Sequence, residues 1–322
     1  MFLRRANLSN MVYKKISIII LKISIIAIAW WYVVYKIINM PHDAFLVFSN
    51  PLFSVSVLVF VVLLMFVNWL IESYKWKRLA EKIQPISFFT SLQAVCIGMP
   101  LALVTPNRIG EIGGRSLVLQ EHKKKTMLAT FIGSIVQLIT TLLFGIVGFI
   151  LYIVFAQAQN TVSNAGYVAI ASVIISIVLY KVLRNTVLIK KMGMRILGRR
   201  KYVSLVHTYA KYSRADILHV FVFSISRYVI FSGQFMLLAH MFLPEITFVQ
   251  LCISVFLTYF FTTVIPTSVL GEVGIRGSVA MVVFGMFTTH EITIFQVSML
   301  LWIINIVPPT LYGSYLLFRY RK

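Results

Sequence analysis

The chain alternates long apolar stretches with short polar ones that are rich in lysine and arginine. Six apolar stretches have the length of about 20 residues that a helix needs to cross a bilayer. They cover about 16–38, 51–71, 126–156, 165–183, 217–242 and 291–317. With 59% hydrophobic and 12% charged residues, the chain has too little polar surface for a soluble protein. The pattern predicts an all-α, polytopic integral membrane protein, with one transmembrane domain over 1–322.

Two further stretches, 86–121 and 246–288, depart from this pattern. Each has an apolar first arm, then a proline, then a second arm too rich in glycine and charge to face lipid. We predict a helical hairpin from each, either re-entrant or fully crossing, and both return to the side from which they start. In the first, the chain restarts as a helix after the proline, with Thr105 as its cap.

The two hairpins carry the same motif. Gly-Glu-Xaa-Gly-Xaa-Arg occurs at Gly110–Arg115 and again at Gly271–Arg276. The prolines that precede the two copies are 160 residues apart. The spacing predicts an internal duplication, with repeat one over about 51–156 and repeat two over about 217–317.

The distribution of charge predicts the orientation of these repeats. With the N-terminus in the cytoplasm, 24 of the 30 Lys and Arg residues fall on the cytoplasmic side, where the C-terminus also lies. Such a bias sets membrane topology. The first hairpin then starts and ends in the cytoplasm, and the second starts and ends outside. We therefore expect an inverted-topology repeat of six spans and two hairpins, an architecture common among secondary transporters, whose sites lie near the bilayer midplane.

The segment 184–215 is basic and amphipathic. We favour a surface helix that holds anionic lipid headgroups; the alternative is a solvated loop that only enforces topology. The net charge of +21 could suggest nucleic acid, but the cations sit in short loops between apolar spans. We expect no nucleic-acid partner.

Charged residues inside a membrane are costly and usually mark a functional site. Glu111 and Arg115 lie four residues apart and so share one helix face, as do the equivalent residues of the second motif. The glycines between them permit close helix contact or leave room for a headgroup. The candidate substrate-binding residues are Arg108, Glu111, Arg115, Arg227, Glu272 and Arg276. The candidate turn and helix-contact residues are Pro106, Gly110, Gly113, Gly114, Pro266, Gly271 and Gly274.

Two interpretations of these charges compete. In one, each Glu–Arg pair only holds its hairpin tip together. In the other, the arginines and the helix N-termini bind an anion, most naturally a phosphate, while the glutamates orient the arginines, contact a cationic moiety or carry a proton. We favour binding for two reasons. A purely structural contact could be made by apolar residues at a lower cost in free energy, and the charges occur twice. Arg227 either lines the same cavity or pairs with Glu272.

Other polar residues in the spans favour a structural role. We interpret most of them as partners in hydrogen bonds between helices; they are Asn68, Glu72, Gln93, Gln137, Gln234 and Asn305. No nucleophile–histidine pair, phosphate loop or metal-ligand spacing is present, so we expect no catalytic residue, cofactor or metal.

Several of these residues form a pattern that resembles that of one known family. The resemblance rests on Asn68-Trp69, Glu72, Trp76-Lys77-Arg78-Leu79, Gly98, the segment Thr105-Pro106-Asn107-Arg108-Ile109-Gly110-Glu111, Gly114-Arg115, Pro266 and Gly271-Glu272-Val273-Gly274. In this pattern the chain resembles the lysylphosphatidylglycerol synthetase transmembrane, or flippase-like, family. It is similar to a stand-alone member, without the soluble aminoacyltransferase domain that the best-known members carry.

The resemblance implies a flippase in a cytoplasmic membrane that moves a phosphate-bearing lipid, aminoacylated or polyprenyl-linked, between leaflets. The expected partner is the anionic headgroup of a membrane lipid; a homodimer or a partner in envelope biosynthesis is left open. Two alternatives remain: a secondary transporter of a small anion, and an accessory subunit or membrane-embedded transferase that modifies lipids or envelope glycans.

Overall fold

The computed structural model describes Trp31, Tyr35 and residues 54–105, 108–119, 122–158, 211–265 and 269–320. The predicted spans at 16–38 and 165–183, and the basic segment 184–215, lie almost entirely outside these ranges. The helices are α1 (Val55–Ala80), α2 (Phe88–Val104), α3 (Ile109–Ser116), α4 (Lys123–Ala158), α5 (Arg214–Phe242), α6 (Phe248–Val264), α7 (Val269–Phe284) and α8 (Glu291–Tyr320). Within the described residues there is no strand, so the all-helical prediction is confirmed there.

Four of these helices, α1, α4, α5 and α8, are long and apolar enough to cross a membrane. They coincide with four of the predicted spans. The helices α2 and α6 are apolar but have only 17 residues each. Because one residue adds about 1.5 Å to a helix, about 25 Å of helix is available in each, slightly less than the hydrocarbon core.

The helices α1 and α5 run antiparallel along one another. At one end, the backbone N–H of Ser54 donates to Met241 Sδ at 3.4 Å. At the other end, Lys82 Nζ lies 2.9 Å from Asp216 Oδ2. The C-terminal end of α1 therefore meets the N-terminal end of α5, and this pair forms an axis against which the other elements pack.

The α2–α3 hairpin starts and ends at the C-terminal end of α1. Ile86, just before the hairpin, and Leu119, just after it, both pack around Trp76 and Ala80. The Trp76 indole N–H donates to Thr130 Oγ1 at 2.9 Å, which ties α4 to the same end. Both arms of this hairpin thus return to one end of the α1–α5 pair.

The α6–α7 hairpin starts and ends at the other end of that pair. Ile246, just before α6, packs in one apolar core with Phe242 at the C-terminal end of α5. Thr288 Oγ1, just after α7, donates to Glu245 Oε1 at 3.4 Å. The two hairpins therefore enter the structure from opposite ends.

The first arm of each hairpin packs on the long helix that follows the other hairpin. Helix α2 contacts α8, where a Cβ on Gly313 would lie 1.9 Å from the carbonyl oxygen of Cys96. Helix α6 contacts α4, where a Cβ on Gly145 would lie 2.3 Å from a ring carbon of Phe260. Glycine is required at both crossings because no side chain fits between the helices.

A side-chain hydrogen bond links the end of α2 to the start of α3. The Thr105 hydroxyl accepts it from the backbone N–H of Gly110 at 2.6 Å, but Thr105 is not the N-cap residue that the sequence predicts, because α3 begins at Ile109. Arg108 takes the N-cap position, with a left-handed φ of 56°. It is the one non-glycine residue in the described ranges with positive φ. Such conformations cost of order 1–3 kcal/mol and cluster at functional sites.

Candidate functional site

A cavity of about 700 Å³ lies where the two hairpins meet the α1–α5 pair. All eight described helices contribute to its wall. From the first hairpin, Arg108, Glu111 and Arg115 line it; from the second, Thr262 and Arg276 do so. The tips of two hairpins that enter from opposite ends therefore share one cavity.

One carboxylate, that of Glu72 on α1, joins three cations in the wall of this cavity. Its Oε2 lies 2.7 Å from Lys75 Nζ and also contacts Nη1 of Arg227. Its Oε1 lies 2.8 Å from Nη1 of Arg115. The side chains of Glu72, Lys75 and Arg115 are exposed by 6%, 2% and 3%. Three helices, α1, α3 and α5, are thus held together by one buried acid.

The rest of the network orients the two arginines. Arg115 contacts Glu111 Oε1 through Nη2, so it spans two acids. Arg227 Nε donates to Asn68 Oδ1 at 2.9 Å, and its guanidinium lies 5.9 Å from the Trp69 ring. Gln137 Oε1 lies 3.4 Å from Arg227 Nη1. Buried charges are tolerated when they are paired and hydrogen-bonded in this way.

The cavity wall is positively charged. Among the described residues it carries five cations and two acids, an excess of three positive charges: Lys75, Arg108, Arg115, Arg227 and Arg276 against Glu72 and Glu111. If Glu272 is counted from sequence alone, the excess is still two. A cleft with such an excess of one sign of charge attracts anions and repels cations.

Apolar side chains form part of the cavity lining at the surface of the helix bundle. Ile109 on α3, Phe131 on α4 and Val264 on α6 all line the cavity, with exposures of 61%, 51% and 44%. The cavity therefore combines a charged interior with an apolar margin.

The structure brings five of the six candidate binding residues together, since Arg108, Glu111, Arg115, Arg227 and Arg276 all line the cavity. Glu272 belongs to the helical backbone of α7, and its side chain lies outside what is described. The candidate glycines lie in α3 and α7, namely Gly110, Gly113, Gly114, Gly271 and Gly274. Pro106 and Pro266 lie outside the described residues.

Lys75 is one of the 24 cations that the charge pattern places on the cytoplasmic side. The structure gives it a position that the sequence analysis does not predict, because it is buried beside Glu72 at the cavity. The sequence does contain a signal, because Asn68, Glu72 and Lys75 are spaced by four and three residues and so share one face of α1. A polar stripe of this kind inside an apolar helix points to a buried network.

Four of the six polar residues interpreted as links between helices take that role, namely Asn68, Glu72, Gln137 and Gln234, whereas Asn305 Nδ2 donates to Leu301 O within its own helix. Asn68 bonds to Arg227, Gln137 Nε2 donates to the backbone oxygen of Ser224 at 3.2 Å, and Gln234 Nε2 donates to that of Val61 at 2.8 Å. Asn68 and Gln137 also line the cavity, which sequence reasoning did not foresee.

In the described ranges, no three His, Cys, Asp or Glu residues are grouped so that they could hold a metal ion. Comparison of the chain with family models, with curated proteins and with solved structures finds no match.

Proposed function

We propose that this protein moves a phosphate-bearing lipid headgroup between the leaflets of a cytoplasmic membrane, through the cavity at the two hairpin tips. The observation that carries the proposal is the positively charged cavity with an apolar margin, set among helices long enough to cross a membrane. A headgroup would cross through the cavity while its acyl or prenyl chains stay in the bilayer.

The proposed architecture is an inverted repeat with six spans and two hairpins, N- and C-termini in the cytoplasm. Helices α1 to α4 form the first unit and α5 to α8 the second. Several helix contacts occur in matching pairs: α2 on α8 with α6 on α4, α3 on α4 with α7 on α8, and α1 on α2 with α5 on α6. The opposite directions of α1 and α5 also support the inversion. Alternating access in such folds is a rocking of one unit against the other around a central site.

The charged residues have distinct proposed roles. Arg108, Arg115 and Arg276 would hold the phosphate, because a guanidinium donates two parallel hydrogen bonds to phosphate oxygens. Glu72 and Glu111 would hold Arg115 in position and limit the excess of charge. Arg227, held by Asn68 and Glu72, would join the two units beside the cavity.

The apolar margin favours a lipid over a small soluble anion. A soluble anion needs a route lined by polar groups and closed to lipid, whereas Ile109, Phe131 and Val264 present exposed apolar surface beside the charged interior. The resemblance to the flippase-like family, on the residues given above, adds support for a lipid substrate.

Replacing Arg276 by glutamine should reduce headgroup transfer roughly tenfold or more, since a charge-assisted hydrogen bond contributes about 1.5–3 kcal/mol. The assay uses the full-length protein in liposomes with fluorescent anionic lipids labelled on an acyl chain, quenched from outside with dithionite. Arg214→Gln is the matched control, because Arg214 is an exposed cation away from the cavity and its variant should transfer normally. Equal transfer by the Arg276 and Arg214 variants would contradict the role of the cavity.

A further inference from the structure

The excess of charge in the cavity bears on the class of headgroup. On the basis of the proposed function, we infer that the bound group is a phosphate carrying at least two negative charges, that is, a phosphate monoester or a pyrophosphate. Zwitterionic and cationic headgroups would be rejected.

The acids are already engaged by the protein. Glu72 contacts Lys75, Arg115 and Arg227, and Glu111 contacts Arg115. In the described part of the wall, two negative charges therefore accompany five positive ones. A ligand amine would have to compete with these buried contacts for either carboxylate. An anion would instead be attracted by the excess of positive charge.

The charge of the ligand must match this excess. The described wall has three positive charges in excess, and two if Glu272 is included. A phosphodiester headgroup supplies one negative charge, and a zwitterionic headgroup supplies none. A phosphodiester that also carries a lysyl group is net positive. A phosphate monoester supplies up to two negative charges, and a pyrophosphate two or three, so these groups bring the cavity closest to neutrality.

The cations approach from separate helices. Of the proposed phosphate ligands, Arg108 lies at the start of α3 and Arg276 in α7, and both line the same cavity of about 700 Å³. A terminal phosphate has three free oxygens and can accept from several such donors at once. A phosphodiester has only two, and both of its substituents occupy space among the donors.

Free inorganic phosphate also carries multiple negative charge, so the experiment must distinguish it from a phosphate that is part of a lipid. Acyl-labelled phosphatidic acid, phosphatidylglycerol and phosphatidylethanolamine are compared in liposomes with the full-length protein at pH 8, where the monoester is doubly ionised. Flux of radiolabelled inorganic phosphate is measured in parallel. We expect transfer of phosphatidic acid to exceed that of phosphatidylglycerol by roughly tenfold, as for one additional charge-assisted contact, and no transfer of phosphatidylethanolamine.

Each outcome separates the inference from the proposed function. Equal transfer of phosphatidic acid and phosphatidylglycerol, without phosphatidylethanolamine, would overturn the inference and leave the function standing. Equal transfer of all three lipids, or no lipid transfer together with no flux of inorganic phosphate, would overturn both. Flux of inorganic phosphate without lipid transfer would support a multiply charged ligand but overturn the lipid function.

A charge variant and a change of pH provide a second readout. Arg276→Gln removes one positive charge, so the preference for phosphatidic acid over phosphatidylglycerol should fall toward parity, while Arg214→Gln should retain it. At pH 5 the monoester loses its second charge, and its transfer should fall toward that of phosphatidylglycerol. A preference unchanged by both tests would overturn the inference.

Discussion

Replacing Glu72 by alanine is expected to destabilise the protein by roughly 3–5 kcal/mol, the cost of leaving buried charge without its partner. The carboxylate contacts three cations, of which Lys75 and Arg115 are almost fully buried. Without it, three positive charges from α1, α3 and α5 repel one another in a low-dielectric environment. The measurement is the midpoint of thermal unfolding in detergent. It is detected as the fraction of protein that remains monodisperse after heating.

Glu81→Ala is the matched control at the end of the same helix. Glu81 pairs with Lys77 at 3.2 Å, and the two side chains are 35% and 26% exposed. An exposed pair of this kind contributes at most about 1 kcal/mol. If the Glu72 and Glu81 variants unfold at the same temperature, the central role of Glu72 is wrong. The double variant Glu72→Gln, Lys75→Met removes one charge of each sign and should recover part of the loss.

Replacing Gly110 by alanine is expected to separate the two arms of the first hairpin and to reduce stability by about 1–3 kcal/mol. A Cβ at this position would lie 2.0 Å from the carbonyl oxygen of Leu101 and 2.6 Å from Thr105 Oγ1. Because Leu101 O is a backbone atom, α3 itself must move away from α2, and the hydrogen bond from Gly110 to Thr105 is disturbed. The same shift displaces Arg115 from Glu72, so headgroup transfer should fall with stability.

Gly113→Ala tests the same substitution in the same short helix without the clash. A Cβ on Gly113 would meet no atom within 4 Å. Because alanine favours a helix over glycine by about 1 kcal/mol, this variant should be as stable as the original protein or slightly more stable. Should the two variants lose stability equally, the close contact of α2 and α3 at Gly110 would not be the cause.

The apolar pattern of the sequence is sufficient to predict much of the fold. The span predicted at 126–156 corresponds to α4 (Lys123–Ala158), and that at 217–242 corresponds to α5 (Arg214–Phe242). Long apolar helices separated by basic loops leave few alternatives, because every backbone polar group in lipid must be satisfied within its own segment. The prolines and the repeated motif likewise mark where each hairpin turns.

The arrangement within the candidate site could be predicted only in part. Glu111 and Arg115 are four residues apart in one helix, so their contact follows from local geometry. The contact of Glu72 with Arg227 joins residues 155 positions apart, and it depends on how α1 and α5 are rotated about their axes. The polar stripe on α1 indicates which face of that helix is buried, but it does not identify the residues of α5 that this face meets. For this reason the sequence does not predict that Glu72 and Lys75 join Arg227 in one buried network.

The most direct test of the central claim is an electron cryomicroscopy structure of the protein in lipid nanodiscs that contain phosphatidic acid. We predict that the two hairpin tips enter from opposite faces and meet, and that phosphate density lies in the cavity between Arg108 on α3 and Arg276 on α7. Tips that lie apart, or phosphate density found only at the outer surface of the helices with the cavity empty, would contradict the account.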